Sequence, residues 1–153
     1  MLKKVLLVAA SCALALAVAG YVVYAGNSAP VVPPLSVAET AASGKPYVVK
    51  LHAQWCPVCL VTKSIWSDIE AEYSERVNLL VLDFTDEANT DASRAEARRL
   101  GLDQFFDEYA GATGIIVVLD GRTKAVRASI HGSREFADYR AAIDEALNGA
   151  ATR

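Results

Sequence analysis

The sequence predicts an α/β domain, a small mixed sheet with helices on both faces, and three observations predict it. Apolar, β-rich runs of five to eight residues alternate with segments whose apolar residues recur at helical spacing. A helix separates the first two runs, which implies parallel pairing. A turn signal separates the last two, which implies an antiparallel hairpin. The resulting order is β-α-β-α-β-β-α, a layered arrangement around one sheet.

The chain ahead of this domain reads differently. Of residues 1–25, only Lys3, Lys4, Ser11 and Gly20 are not apolar. Val5 to Ala25 carries no charge, and at about 1.5 Å per helical residue it spans about 30 Å, the thickness of a bilayer core. Lysines at its start predict the N-terminus inside and everything after Ala25 outside. Three readings fit: a retained single-span anchor, a signal peptide cleaved after Val23-Tyr24-Ala25, and a lipoprotein modified at Cys12 in Ala9-Ala10-Ser11-Cys12. Each puts the domain across the membrane, where disulfides are permitted. Residues 26–46 read as a tether, because Pro30, Pro33 and Pro34 favour an extended chain. Val37 to Ser43 reads as a short helix, ended by Gly44-Lys45-Pro46. Residues 47–149 form the folded domain and 150–153 a tail.

Hydrophobic residues make up 53% of the 153. Without the first 25 the share falls to roughly 47%, an ordinary globular value. Lys3 and Lys4 are two of the 15 basic residues, so the rest of the chain carries a net charge of −5 with its 18 acidic residues. That balance excludes a nucleic-acid binder, which needs a basic face.

Within the domain, Tyr47 to Ala53 reads as a buried strand. A helix follows from Leu60 to about Arg76, with Trp66, Ile69 and Tyr73 on one face. Val77 to Phe84 is the second strand. Residues 85–90 read as a polar loop, and Asp83, Asp86 and Glu87 as a solvated acidic surface. Asp91 to Leu100 is a helix capped by Thr90 or Asp91 and ended by Gly101. Asp103 to Tyr109 adds two helical turns. Ile115 to Leu119 is the third strand, Asp120-Gly121 the hairpin turn, and Ala125 to Ile130 the partner strand. Ser133 caps a last helix from Arg134 to Leu147, with Phe136, Tyr139, Ile143 and Leu147 facing inward.

Cys56-Pro57-Val58-Cys59 carries the chemistry. Two cysteines three apart at the first turn of a helix can close a small disulfide ring and reopen it with little backbone movement. Cys56 sits at or near the N-cap, where unpaired N–H groups lower a thiol pKa. Pro57 suits the first helical position. Cys59, a turn further in, is expected to be the more buried. Cys56 is therefore the candidate nucleophile and Cys59 the resolving thiol. A zinc site would need Cys56, Cys59 and both histidines, His52 and His131, which lie on different strands. A purely structural disulfide of this size would stabilise little. No phosphate loop, paired catalytic carboxylates or serine triad is evident, and no cofactor is implied.

Ala53-Gln54-Trp55-Cys56-Pro57-Val58-Cys59, between an apolar strand and a helix, resembles the active site of the thioredoxin family. The resemblance covers about residues 45–148. It implies the thioredoxin-like three-layer fold and a substrate surface made of Trp55, Pro57, Thr113 and Gly114. With the N-terminal segment, the chain looks most like the membrane-tethered extracytoplasmic members of bacteria. That implies protein disulfides as substrates, a transmembrane thiol reductase as electron donor, and a place at the periplasmic face of the inner membrane. The reducing direction is favoured; disulfide donation would use the same residues.

Three positions and one segment depart from the family pattern. Thr113 stands where the family has a cis-proline, and since a cis bond there would cost about 2.5–4 kcal/mol, a trans bond is expected. Lys50 stands at the family's buried acid; its ammonium either reaches the surface or an acid, or stays half-buried and favours thiolate. Ser64 replaces the helix-kinking proline, so a straighter helix is expected. Residues 89–110 are longer than usual and serve either partner specificity or the core. The missing proline also leaves open a second function, a module holding copper or another soft metal on Cys56 and Cys59 with His52 or His131.

Overall fold

A computed structural model describes residues 44–151. The apolar run with Cys12, most of the tether and the Val37–Ser43 helix lie outside them. The elements run in the order β1 (Tyr47–His52), α1 (Pro57–Val61), α2 (Lys63–Tyr73), β2 (Asn78–Asp83), α3 (Glu87–Arg99), α4 (Asp103–Tyr109), β3 (Ile115–Leu119), β4 (Val126–His131) and α5 (Phe136–Ala151). The sheet order is β2-β1-β3-β4. β1 pairs parallel with β2 and antiparallel with β3, and β3 pairs antiparallel with β4. This is the mixed sheet expected from the crossover helix and the closing hairpin.

β1 is central and covered on both faces, so its run of apolar residues does not alternate with polar ones. Alternation along the strand nevertheless divides the core. Tyr47, Val49 and Leu51 pack with Leu82, Phe84, Ala97, Leu102, Phe105 and Phe106 on the α3–α4 side. Val48 packs with Ile65, Trp66, Ile69, Tyr139 and Ile143 on the α2–α5 side. The long 89–110 segment thus extends the core.

Four local expectations are corrected. The helix after the cysteines is not straighter for lacking a proline: it breaks at Thr62 (φ −95°, ψ 9°) into α1 and α2. Thr62 is buried, and its hydroxyl donates to the Val58 carbonyl at 2.9 Å, while its N–H donates to the same oxygen at 3.1 Å. Such back-bonding bends helices. Second, residues 87–90 are helical. α3 starts at Glu87 because the Asp86 carboxylate caps it, accepting from the Asn89 N–H at 2.8 Å. Third, the hairpin connection is longer than Asp120-Gly121. The Asp120 carboxylate accepts from the N–H groups of Arg122 and Thr123 at 3.1 and 3.0 Å and pairs with Arg127. These bonds, first that from Thr123 and then Arg127, hold it well below the usual carboxylate range. Fourth, α5 runs from Phe136 to Ala151, and Ser133 accepts from the Glu135 N–H just ahead of it.

Asp83 is not simply a solvated acid either: its carboxylate accepts from the Thr85 N–H at 2.9 Å, and its backbone is tied as well. The Ser93 hydroxyl accepts from the Asp83 N–H at 2.8 Å and donates to its carbonyl at 3.2 Å. This bond closes one end of the outer side of β2, an edge strand that would otherwise be open to pairing. No helix among the described residues is long and apolar enough to cross a membrane.

Candidate functional site

The site is built where β1 ends. Ala53 turns the chain, and the Cys56 N–H returns to its carbonyl at 3.2 Å. Cys56 then sits in extended conformation at the cap of α1, with Pro57 at the first turn. Pro57 loses nothing by lacking an N–H there, and its fixed φ suits the helix. The Cys56 sulfur accepts from the Cys59 N–H at 3.2 Å. The Cys59 thiol points inward and approaches the Leu51 carbonyl at 3.8 Å. Both cysteines are free thiols.

Residue exposure separates the two cysteines only slightly, in the expected order: Cys56 is 3% exposed and Cys59 2%. The reason is the loop before β3, which covers Cys56. Gly114 there has φ +75°, and a Cβ on it would lie 2.8 Å from Val58 Cβ and Cγ1 and 3.4 Å from Cys56 Sγ. Its N–H donates to the Leu51 carbonyl at 2.9 Å, which docks the loop on the end of β1. No peptide bond among the described residues is cis, so Thr113 follows a trans bond as expected.

Hydrogen bonding separates the thiols instead. Burial alone would push the Cys56 thiol up. Bonds from the Cys59 thiol, the Thr113 hydroxyl and the N–H groups of Cys59 and Val58 outweigh burial and hold it below the ordinary thiol range. Burial pushes the Cys59 thiol up, and its bond to Cys56 adds to the rise. The site thus holds a sulfur disposed to ionise beside one disposed to stay protonated.

Trp55 is 61% exposed beside Cys56, and its indole N–H donates to the Thr85 carbonyl at 3.0 Å. The Thr85 hydroxyl accepts from the Gln54 N–H at 2.9 Å and donates to the Asp83 carboxylate. Thr85 therefore ties the cysteine loop to the end of β2. The sequence reading missed it, although Asp83-Phe84-Thr85 is a spacing at which an aspartate commonly folds back on the N–H two residues on, as it does here at 2.9 Å. Leu60 and Val61 on α1 are also exposed, so an apolar surface continues past the cysteines.

Lys50 forms no ion pair among the described residues. It is 9% exposed, with its ammonium 5.5 Å from the centre of the Trp66 ring. His52 is half-buried at the end of β1, and its Nδ1 is buried without a hydrogen-bond partner. His131 is exposed at the end of β4. Among the described residues no three His, Cys, Asp or Glu side chains converge as a metal site, so two sulfurs are all that the metal-holding alternative has.

Residues 36–99 match the family model described as thioredoxin. No curated protein matches the sequence. Among solved structures, a thiol:disulfide interchange protein of the thioredoxin family from Chlorobium tepidum TLS is similar at 23% identity and a TM-score of 0.51, over 74% of this chain and 86% of that one. A thioredoxin-like protein solved in its oxidised form is similar at 13% identity and a TM-score of 0.50, over 76% of this chain and 86% of that one. At these identities the likeness is one of fold, and it agrees with the layered sheet described above.

Proposed function

We propose that this chain, which carries a thioredoxin-like domain, is a thiol–disulfide oxidoreductase that acts on protein disulfides through Cys56 and Cys59, chiefly as a reductase of exported proteins. One observation carries the reading: the Cys56 sulfur accepts the Cys59 N–H at the start of α1, with the Cys59 thiol directly behind it. The Cys56 thiolate attacks one sulfur of a substrate disulfide. A bond forms between Cys56 and that sulfur, and the second substrate sulfur leaves with the electron pair. Cys59 then loses its proton and attacks Cys56, forming the protein disulfide and releasing the first substrate sulfur as a thiolate. The substrate approaches over Trp55 and Pro57 and along the Thr113–Gly114 backbone, with the apolar side chains of Leu60 and Val61 extending the contact.

An electron donor must re-reduce the pair in each cycle. The basic head and apolar run of residues 2–25 support a periplasmic location at the inner membrane and a transmembrane thiol reductase as that donor. The reduction potential of the Cys56–Cys59 pair in the full chain, equilibrated against glutathione, tests the direction. A value near about −250 mV or below fits a reductase, and one near about −120 mV makes it a disulfide donor. Absence of a reversible couple overturns the oxidoreductase reading. Cys59→Ser is expected to accumulate mixed disulfides with substrate proteins on Cys56, and Cys56→Ser to accumulate few.

A further inference from the structure

Bonding between the β1 and β2 chains continues after both strands have ended. The Phe84 N–H donates to the His52 carbonyl at 2.8 Å, the Gln54 N–H to the Thr85 hydroxyl at 2.9 Å, and the Trp55 indole N–H to the Thr85 carbonyl at 3.0 Å. Thr85 thus meets the cysteine loop twice, at the two residues before Cys56. It is itself anchored. Its N–H donates to an Asp83 carboxylate oxygen at 2.9 Å, and its hydroxyl donates to the same oxygen. The Asp83 backbone is tied in turn to α3 through Ser93. A hydroxyl has one hydrogen to give and accepts through its lone pairs. With the hydrogen committed to Asp83, the Thr85 oxygen offers a lone pair to Gln54, so both neighbours fix its orientation.

Trp55 is 61% exposed, so water could satisfy its indole N–H. The bond to Thr85 therefore contributes orientation more than stability. An exposed tryptophan held in one orientation is a contact surface whose ordering cost is met before a partner arrives. Cys56 is held by other groups: its N–H by the Ala53 carbonyl and its sulfur by the Cys59 N–H.

We propose that Thr85 is a positioning residue for protein substrates. Through Gln54 and Trp55 it sets the substrate surface beside Cys56, and it favours disulfides carried by a polypeptide over small ones. This rests on the oxidoreductase reading above. Thr85 acts on substrate only through Trp55 and the loop, and the exchange between the sulfurs does not pass through it.

Two disulfides tested on the full-length chain separate these roles: insulin, with dithiothreitol as electron donor, and Ellman's reagent, which needs little contact beyond the reacting sulfur. Thr85→Val keeps the side-chain shape and removes the hydroxyl. It is expected to raise the KM for insulin about fivefold, as for one large side chain left unordered before binding. The kcat and the rate with Ellman's reagent are expected to stay within about twofold. Thr85→Ser, which keeps the hydroxyl, is expected to hold the insulin KM within about twofold of wild type. An unchanged KM in Thr85→Val, equal slowing with both disulfides, or equal effects of serine and valine overturns the proposal. If the wild type neither reduces insulin nor closes its Cys56–Cys59 disulfide with Ellman's reagent, the oxidoreductase reading falls and the proposal with it. If it closes the disulfide yet leaves insulin at the background rate, the proposal alone falls. Should Thr85→Val misfold, the wild type decides. Its Trp55 indole N–H, assigned by comparison with Trp55→Phe, is expected to exchange with water at least about tenfold more slowly than in the unfolded chain. Equal rates overturn the proposal.

Discussion

Gly114→Ala is the sharpest probe of how the cysteine loop is built. Gly114 has φ +75°, and the new methyl would lie 2.8 Å from both Val58 Cβ and Cγ1. The left-handed backbone costs a non-glycine residue about 1–2 kcal/mol. Forcing a methyl into an occupied space adds about 1–3 kcal/mol. Neither side yields cheaply, since Val58 Cβ is fixed to α1 and the Gly114 N–H is held by Leu51. The expected loss is therefore about 2–5 kcal/mol, measured by urea unfolding of the reduced protein through tryptophan fluorescence, with the denaturant slope unchanged. A double-mutant cycle separates the two parts. In a Val58→Gly background both clashing atoms are gone, so Gly114→Ala should cost only the backbone part, about 1–2 kcal/mol. A loss below about 0.5 kcal/mol, or the same loss in both backgrounds, would refute the packing argument, because surface substitutions typically stay within that limit.

Three further outcomes are expected. Asp86→Ala should cost about 1 kcal/mol by removing the cap of α3, with Asp86→Asn close to wild type; equal losses from both would point to charge, not capping. The Tyr73 hydroxyl is pushed up to about 12, by burial first and then by its bond to Asp144. A raised folded-state value contributes stability below the unfolded tyrosine value of about 10 and loses it as pH rises through the folded one. Stability should thus fall between about pH 10 and 12, and Tyr73→Phe should shallow that fall, with the slopes from Tyr47 and Tyr139, which burial also raises, remaining. Finally, iodoacetamide should modify Cys56 of the reduced protein at a lower pH than it modifies Cys59, since hydrogen bonds hold one thiol down while burial holds the other up. Peptide mapping reads the order, and modification of Cys59 first would reverse the assigned roles.

The pattern of apolar runs was enough to read a mixed sheet with helices on both faces, the parallel first pair and the closing hairpin; the antiparallel β1–β3 pairing and the strand order came from the structure. Strand and helix periodicities are local, and the chain between Tyr47 and Phe84 leaves one simple way to join two buried strands across a helix. The dithiol was legible for the same reason: a cysteine, a proline and a cysteine at a strand-to-helix junction have their meaning within four residues. Thr62 shows where local reading stops. The absence of proline predicted a straighter helix, yet the helix breaks at Thr62, a buried threonine whose hydroxyl bonds back to the Val58 carbonyl.

What the sequence by itself determined is the chemistry available: two thiols, their order, and a helix start that favours ionising the first. The tertiary structure decided which groups those thiols meet. It brought Gly114 from 58 residues further along the chain onto Cys56, so that both cysteines are buried and the thiols differ chiefly through hydrogen bonds. It placed Thr85 under Trp55 and Lys50 against Trp66. These contacts join residues far apart in sequence. They depend on the depth and facing of elements packed across the sheet, which spacing along the chain does not encode.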